Sequence, residues 1–204
     1  MIDNDTYRTL AAASRGLYKD KGSKFIGLAY PVTDEEQIKE ILSEVKKEFY
    51  DARHHCYAWI IGADKSQYRQ NDDGEPSGTA GKPIYGQLLS DDLTNTLIIV
   101  VRYFGGTKLG VRGLINAYKG AARDALDNAK IITNTVRDYY QLSFEYLSMN
   151  DVMKVLKDHD LPQHEHDFGL SCKLIFSVRK KLVNEVIRDF EKIPDVSVHF
   201  LKTE

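Results

Sequence analysis

The chain has 204 residues, 42% hydrophobic and 28% charged, so it can bury a core and does not belong to the disordered class. Its formal net charge of −2 does not indicate a dedicated nucleic-acid-binding protein, and its longest apolar run, residues 97–101, is far too short to span a membrane. No secretory signal pattern is visible, and Cys56 and Cys172 are expected to be buried free thiols, so we expect a cytoplasmic protein.

The first elements follow from turn and capping residues. Two β-prone runs on either side of a turn at Lys21 and Gly22 predict a hairpin. Thr33 or Asp34 then caps a helix whose apolar residues recur at helical spacing. The run HHCYAWIIG, residues 54–62, is typical of a strand that ends at a glycine.

The middle of the chain alternates loops with buried elements. Residues 71–83, NDDGEPSGTAGKP, are too rich in Gly, Asp and Pro for a helix or strand, and a short helix is predicted over residues 83–89. The run NTLIIVVRYF is apolar on both faces over its first half, which predicts a central strand. An amphipathic helix that ends near Asn128 follows it.

The last third of the chain changes its pattern. Its order of strand, helix, strand, strand, helix, strand is the split βαβ or ferredoxin-like arrangement. We therefore predict an α+β protein with two domains, residues 1–135 and residues 136–204.

A glycine-rich, positively charged segment joins the central strand to the helix that follows. In RYFGGTKLGVRG, residues 102–113, four glycines and three cations occur without a carboxylate. Curled glycine backbone and a helix start present N–H groups that favour a phosphate, although the glycines can equally serve only a tight turn between solvated cations. The order of residues matches neither the P-loop nor the dinucleotide fingerprint. The candidate anion-binding residues are Arg102, Tyr103, Gly105, Gly106, Lys108, Gly110, Arg112, Gly113 and Lys119.

The acidic loop before the short helix supplies a second set of candidates. Its closely spaced carboxylates can bind a hard cation or act as a general acid and base. A solvated turn, or ion pairs with the cations of the glycine-rich segment, are the other interpretations. No known metal-ligand spacing is present, so we expect no metal site. The candidates are Asp72, Asp73, Glu75, Ser77 and Thr79.

Two adjacent histidines lie on a predicted strand. The side chains of His54 and His55 therefore point to opposite faces and cannot easily share one metal. His54 is a candidate, as a base or a ligand, for a cleft between the acidic loop and the glycine-rich segment. A hydrogen-bonded structural histidine is the simpler interpretation.

Together, NDDGEPSGTAGKPI, LIIVVRYFGGTKLGVRGLINAYKGAA, SKFIG and ARHHCYAW resemble the YigZ/IMPACT family. The resemblance implies a first domain like domain IV of elongation factor G, followed by a ferredoxin-like domain. It also implies a link to translation, since eukaryotic members regulate translation through a stress-kinase pathway. Arg112 stands where many relatives have glycine, and Asn116 stands where they have arginine.

We expect a cytoplasmic, translation-associated binding protein rather than an enzyme. Its basic segment would hold RNA, the ribosome or another phosphate-bearing ligand, and Tyr103 would stack on a base. The alternative is an enzyme that acts on a small phosphorylated or anionic substrate in a cleft between the two loops, with Asp73, Glu75 or His54 as acid or base. A purely structural role for both loops, with protein partners only, is the third possibility. We expect no cofactor.

Overall fold

The computed structural model describes residues 5–169 and 171–204, which form two compact α+β units. The large unit comprises Tyr7–Asn134, and the small unit comprises residues 5–6 together with Thr135–Glu204. The strands are β1 (Thr6–Leu10), β2 (Ser14–Asp20), β3 (Ser23–Pro31), β4 (His54–Ile61), β5 (Gln67–Asn71), β6 (Thr96–Tyr103), β7 (Ile131–Thr135), β8 (Arg137–Glu145), β9 (Gln163–Phe168), β10 (Ser171–Arg179) and β11 (Ser197–Thr203). The helices are α1 (Glu35–Glu48), α2 (Gly81–Ser90), α3 (Gly110–Asp127), α4 (Met149–Asp158) and α5 (Val183–Glu191).

A five-stranded antiparallel sheet organises the large unit. Its strand order is β2-β3-β6-β4-β5, so the apolar strand β6 lies in the middle, as its sequence predicts. Residues 96–102 of β6 are all buried, because both faces of the sheet are covered. Strands β1 and β7 pair in a separate two-stranded sheet.

Two hydrophobic cores lie on the two faces of this sheet. Ile38 and Val45 of α1 pack with the side chains of β6 that point to one face. On the other face, α2 and α3 pack against Ile98 and Val100 of the same strand. Successive side chains of β6 therefore point alternately to the layer of α1 and to the layer of α2 and α3.

Helix α3 lies unusually close to the sheet. A Cβ atom built on Gly27 of β3 would lie 2.2 Å from the carbonyl oxygen of Ala121. Small residues at Ala121 and Ala125 complete this contact from the helix side. The close approach fixes the direction of α3 and therefore the place where its amino end meets the sheet.

Several predicted features agree with the structure. Lys21 and Gly22 form the turn between β2 and β3, and the Asp34 side chain caps α1 by accepting a hydrogen bond from the Gln37 amide. The short helix α2 begins at Gly81, two residues before its predicted start. Strand β5 was not predicted, because its sequence is polar and shows no apolar alternation. It lies at an exposed edge of the sheet, where polar residues are tolerated.

The small unit contains one antiparallel sheet of four strands in the order β11-β8-β10-β9, together with α4 and α5. Phe176 of β10 and Phe190 of α5 are fully buried and tilted against each other at 5.1 Å. Cys172 in this core and Cys56 in the large unit are both buried free thiols, which confirms the expectation for them. No helix in the described part of the chain is long and apolar enough to cross a membrane.

Candidate functional site

The candidate site is built on a row of side chains at one end of the five-stranded sheet. Arg102 of β6 pairs in register with Phe25 of β3 on one side and with His54 of β4 on the other. Directly paired residues on neighbouring strands point to the same face. Phe25 contacts Tyr118 of α3 edge to face at 5.1 Å, so the whole row lies on the α3 side of the sheet.

A pocket of about 510 Å³ opens above this row. This volume lies within the range of roughly 300–1,000 Å³ that is typical of small-ligand sites. The acidic loop forms one wall, and the glycine-rich segment with the first turn of α3 forms another. The lining residues are Arg53, His54, Glu75, Pro76, Arg102, Phe104, Lys108, Leu109, Gly110, Val111 and Leu114.

Arg102 is the buried cation of the pocket. Its side chain is only 9% exposed, and its Nη1 donates a hydrogen bond of 2.5 Å to Oε1 of Glu75. The guanidinium carbon lies 5.4 Å from the ring centre of Phe25 and 5.6 Å from that of Phe104, within cation–π range. Its Nε is buried and has no hydrogen-bond partner among the described residues. Arg102 therefore keeps one unused donor at the site.

Glu75 is the counterion of Arg102. Its side chain is 4% exposed, and Oε1 also accepts a hydrogen bond of 2.7 Å from the Tyr118 hydroxyl. Because this carboxylate is held by two donors, it is a poor candidate for a general base. The pair joins the acidic loop to the central strand, which was one of the alternatives left open by the sequence.

Cys56 lies below this network and is not a nucleophile. Its Sγ lies 3.0 Å from the Asp72 carbonyl oxygen and 3.3 Å from the Tyr118 hydroxyl. Burial raises the pKa of both the Cys56 thiol and the Tyr118 hydroxyl, so both stay protonated at neutral pH.

His54 is fixed in one orientation. Its Nδ1 lies 2.8 Å from the Asp73 carbonyl oxygen, which can only accept, so Nδ1 carries a proton and donates it. Nε2 lies 4.0 Å from Oε1 of Glu75, and the ring lines the pocket. Since Nδ1 is the donor, Nε2 of His54 is the ring atom that can accept a hydrogen bond in the pocket. His55 points to the other face, and its Nε2 lies 3.1 Å from the Phe49 carbonyl oxygen.

The other acids of the loop organise its backbone. Asp72 accepts hydrogen bonds from the amides of Gly78, Ala80 and Gly81 at 2.8–3.0 Å, so it caps the start of α2. Asp73 accepts from the His55 amide at 2.6 Å. These carboxylates are used by backbone donors, and the described residues contain no group of three or more acidic, histidine or cysteine side chains arranged to hold a metal ion.

The remaining predicted residues of this loop are placed differently. The Thr79 hydroxyl donates to the Pro76 carbonyl oxygen at 2.6 Å and is buried. Ser77 is exposed and does not line the pocket.

The glycine-rich segment leads into a helix start without a side-chain cap. Leu109 is the N-cap residue of α3, and among the described residues no side chain accepts a hydrogen bond from the amides of the first turn, which also lack helical partners. Gly106 and Gly110 have φ angles of +86° and +72°, which favour glycine. Gly105 is needed for a different reason, since a Cβ there would lie 1.9 Å from the backbone of Gly22.

The structure brings only part of the predicted anion site together. Arg102, Lys108 and Gly110 line the pocket, whereas Arg112 and Lys119 are exposed outside it. Gly105, Gly106 and Gly113 shape the segment but do not line the pocket either.

Tyr103 belongs to the opposite face of the sheet, because it alternates with Arg102 along β6. It packs against the α1-side core, and its hydroxyl donates to Asp51 at 2.7 Å. This hydrogen bond raises the pKa of Tyr103 to about 12. Tyr103 therefore cannot stack on a ligand in the pocket, and the aromatic ring at the pocket is that of Phe104.

The candidate site residues chosen from the sequence did not include the apolar lining of the pocket and one of its cations, although all of these residues lie inside the motifs that resemble the family. They are Arg53, Pro76, Phe104, Leu109, Val111 and Leu114. Phe104 and Val111 are 54% and 60% exposed. Both lie inside the glycine-rich segment, so their apolar character beside cations was the signal that could have identified them.

Comparison with known proteins places the chain in a family. The model of the Impact N-terminal domain matches residues 21–126, more than half of the chain. The IMPACT family member YigZ of Escherichia coli (strain K12) is 39% identical over 142 residues, which cover 69% of this chain and 70% of that protein. The IMPACT family member YvyE of Bacillus subtilis (strain 168) is 30% identical over 88% of this chain and 82% of its own length.

A solved structure shows the same relationship over the whole chain. A crystal structure of a hypothetical protein is similar with a TM-score of 0.74 and 31% sequence identity, and the match covers 97% of this chain and 98% of that one. The matched family model includes both the acidic loop and the glycine-rich segment that form the pocket. The chain therefore belongs to the IMPACT family.

Proposed function

We propose that this protein is a cytoplasmic, translation-associated regulator that binds RNA, the ribosome or another phosphate-bearing ligand through the amino end of α3. The role in translation is an analogy with eukaryotic members of the family, and such an analogy does not by itself determine function. The ligand part of the proposal is carried by one observation: the uncapped start of α3 and the cations Lys108 and Arg102 line one pocket.

The charge balance of the pocket supports an anionic ligand. Arg53 and Lys108 are exposed at the pocket and form no ion pair within the described part of the chain, while Glu75 already neutralises Arg102. The positive end of the α3 dipole adds to this surplus. A phosphate at the first turn of α3 would meet backbone donors and an exposed ammonium group together.

The fold is proposed at a finer level as well. The βαββαβ order of the small unit and its strand order β11-β8-β10-β9 support a ferredoxin-like domain over residues 136–204. The sheet of the large unit, Tyr7–Asn134, with helices on both faces, supports a domain like domain IV of elongation factor G.

Salt-dependent binding tests the proposed function. Labelled RNA and purified ribosomes are titrated with the protein at several salt concentrations, together with the variants Lys108→Ala, Arg112→Ala and Lys47→Ala. Lys108→Ala should weaken binding and lower the salt slope by about 1, because one phosphate contact is lost. Arg112→Ala should have a smaller effect because Arg112 lies outside the pocket. Lys47 is exposed on α1, at the opposite face of the sheet, and is the control.

The outcomes separate this proposal from a purely structural role with protein partners only. Unchanged melting temperature with weaker binding in Lys108→Ala supports the proposal. Binding that does not depend on salt, or no binding to RNA and ribosomes at low salt, contradicts it. A lower melting temperature without any change in binding indicates that the segment is structural.

An enzyme that acts on a small anionic substrate is the second candidate, and the geometry of His54 favours it. Nδ1 is held as a donor by the Asp73 carbonyl oxygen, so Nε2 can accept a proton inside the pocket. Glu75 is engaged by two donors, so His54 would be the only base of this row. Turnover of a phosphorylated substrate that His54→Gln abolishes without loss of binding would favour the enzyme over the binding protein.

A further inference from the structure

We propose that the pocket receives a single nucleotide, with its phosphate at the first turn of α3 and its base against Phe104. This inference rests on the proposed function, since it takes the anion site at α3 as given. It goes further by assigning the chemical class of the ligand: one phosphate group joined through a sugar to a planar aromatic base. Such a unit is found both in a free nucleotide and at a phosphorylated end of an RNA strand.

The composition of the pocket wall points to an amphipathic ligand. Five of its lining residues are apolar, and they lie beside the cations on the same opening. Phe104 is 54% exposed and Val111 60% exposed, whereas the apolar residues of α3 that face the core are buried. A bare phosphate would gain nothing from these side chains, whereas a flat apolar group would remove them from water. The site therefore fits a ligand with a ring as well as a charge.

Phe104 is suited to hold a ring in place. One side of its ring faces the guanidinium of Arg102, whose carbon lies 5.6 Å from the ring centre. Arg102 is in turn fixed by Glu75 and by Phe25, so the stack behind Phe104 is rigid. A base that stacks on an aromatic ring in this way gains affinity regardless of its identity, because every base has a π-face.

The phosphate end of the pocket has its own support. Within residues 5–169 and 171–204, no side chain caps the first turn of α3, and the buried Nε of Arg102, a residue that lines the same pocket, has no hydrogen-bond partner. The two observations are independent of each other and both favour an added acceptor. Lys108 contributes an exposed positive charge at the rim.

The size of the pocket limits the ligand to one unit. A volume of about 510 Å³ lies in the range for one small ligand, whereas a continuous strand needs a long groove that tracks its backbone. Only one nucleotide of a longer chain would therefore enter the pocket.

The experiment compares ligands that carry one or both parts of a nucleotide. The full-length protein is titrated calorimetrically with the four nucleoside 5′-monophosphates, with ribose 5-phosphate, with the matching nucleosides and with inorganic phosphate. Ten-residue RNAs with a phosphate or a hydroxyl at either end form the second arm. Monophosphates should bind about 10-fold or more tightly than ribose 5-phosphate, because the stacking contribution is absent from the sugar phosphate.

Variants of Phe104 localise the effect. Phe104→Ala should remove the advantage of the nucleotide over ribose 5-phosphate, and Phe104→Trp should restore it. Phe168→Ala is the matched control, since Phe168 has a similar exposure of 45% and lies in the small unit. Circular dichroism checks that each variant keeps its fold.

Each result decides the inference. Equal binding of nucleotide and ribose 5-phosphate overturns it but leaves the proposed anion site intact. The inference is also overturned if RNA binds equally well with and without a terminal phosphate and mononucleotides do not affect that binding. In that case the proposed RNA-binding function remains. If neither the ligands nor ribosomes bind, the nucleotide inference and the proposed function are both contradicted. RNA with a terminal phosphate that binds more than 10-fold better than the monophosphate supports the inference and identifies an RNA end as the source, and equal affinity identifies a free nucleotide.

Discussion

At the scale of single residues, Glu75 sets the charge of the pocket. Its carboxylate is almost fully buried and accepts hydrogen bonds from Arg102 and Tyr118. A buried ion pair of this kind adds little net stability compared with an apolar pair, but removal of one partner leaves the other charge uncompensated. Glu75 therefore both stabilises Arg102 and competes with any ligand for its donors.

The variant Glu75→Gln tests this competition. It keeps the shape of the side chain but removes the charge, so the free energy of unfolding should fall by about 1–3 kcal/mol. Binding of a phosphate-bearing ligand should become tighter, because Arg102 loses its internal counterion. Tyr118→Phe is the control, since it removes one hydrogen bond to Glu75 and keeps the charge. Weaker or unchanged ligand binding in a folded Glu75→Gln protein would count against this role of Glu75.

The buried Cys56 thiol and Tyr118 hydroxyl should make the stability of the protein depend on pH. Burial raises the pKa of Cys56 above its ordinary value of 9.0 and that of Tyr118 above 10.0. Their contribution is fully present below about pH 9 and is lost as the pH rises, because only the unfolded chain then releases these protons. Each group should lower the free energy of unfolding by up to about 1.4 kcal/mol per pH unit above its ordinary pKa.

Urea unfolding at pH 8, 9.5 and 10.5 measures this dependence. Cys56→Ala should flatten the decrease that begins near pH 9, since one of the two titrating groups is gone. The same slope in Cys56→Ala and in the unmodified protein would show that another group is responsible.

At the scale of elements, the sequence predicted those with a strong hydrophobic pattern. Strand β6 and helices α1 and α3 were predicted because continuous or helical apolar spacing marks burial. Strand β5 has no apolar period, and its pairing with β4 arises from tertiary contacts that the local sequence does not encode. The same limit applies to Tyr103 and Phe104. They are neighbours in the sequence, and only the alternation at the end of β6 puts Tyr103 on the α1 side while Phe104 lines the pocket.

The contact between β3 and α3 gives a prediction at this scale. Gly27→Ala should destabilise the protein by about 1–3 kcal/mol, because the added methyl group would overlap the backbone of α3. Gly86→Ala in α2 is the matched control, since a Cβ there meets nothing within 4 Å. That control should be neutral or slightly stabilising in a helix. Thermal unfolding of both variants provides the comparison, and equal melting temperatures would contradict the close packing of α3.

At the scale of the whole molecule, the chain is divided into two units that each have a core. The last third has the six elements that the sequence predicted, in the predicted order, including β9, whose residues are all exposed. The sequence did not predict that residues 5–6 belong with the small unit. Asp5 forms an ion pair of 2.5 Å with Arg179, and no local pattern links residues so far apart in the chain.

The candidate site lies entirely within the large unit, and its position follows from the arrangement of that unit. The antiparallel register brings Phe25, Arg102 and His54 into one row, and the close packing of α3 places its amino end beside them. An anion bound there would contact backbone amides from a loop and a helix start together with side chains from two strands.

The backbone amides at the start of α3 provide the most direct test of anion binding. A ¹⁵N-labelled sample of the protein is titrated with a short RNA at low salt, and amide chemical shifts are followed by NMR. The amides of residues 106–112 should shift most, and those around Lys47 on α1 should not move. Binding that leaves residues 106–112 unchanged, or shifts that concentrate on the α1 face, would contradict an anion site at the amino end of α3.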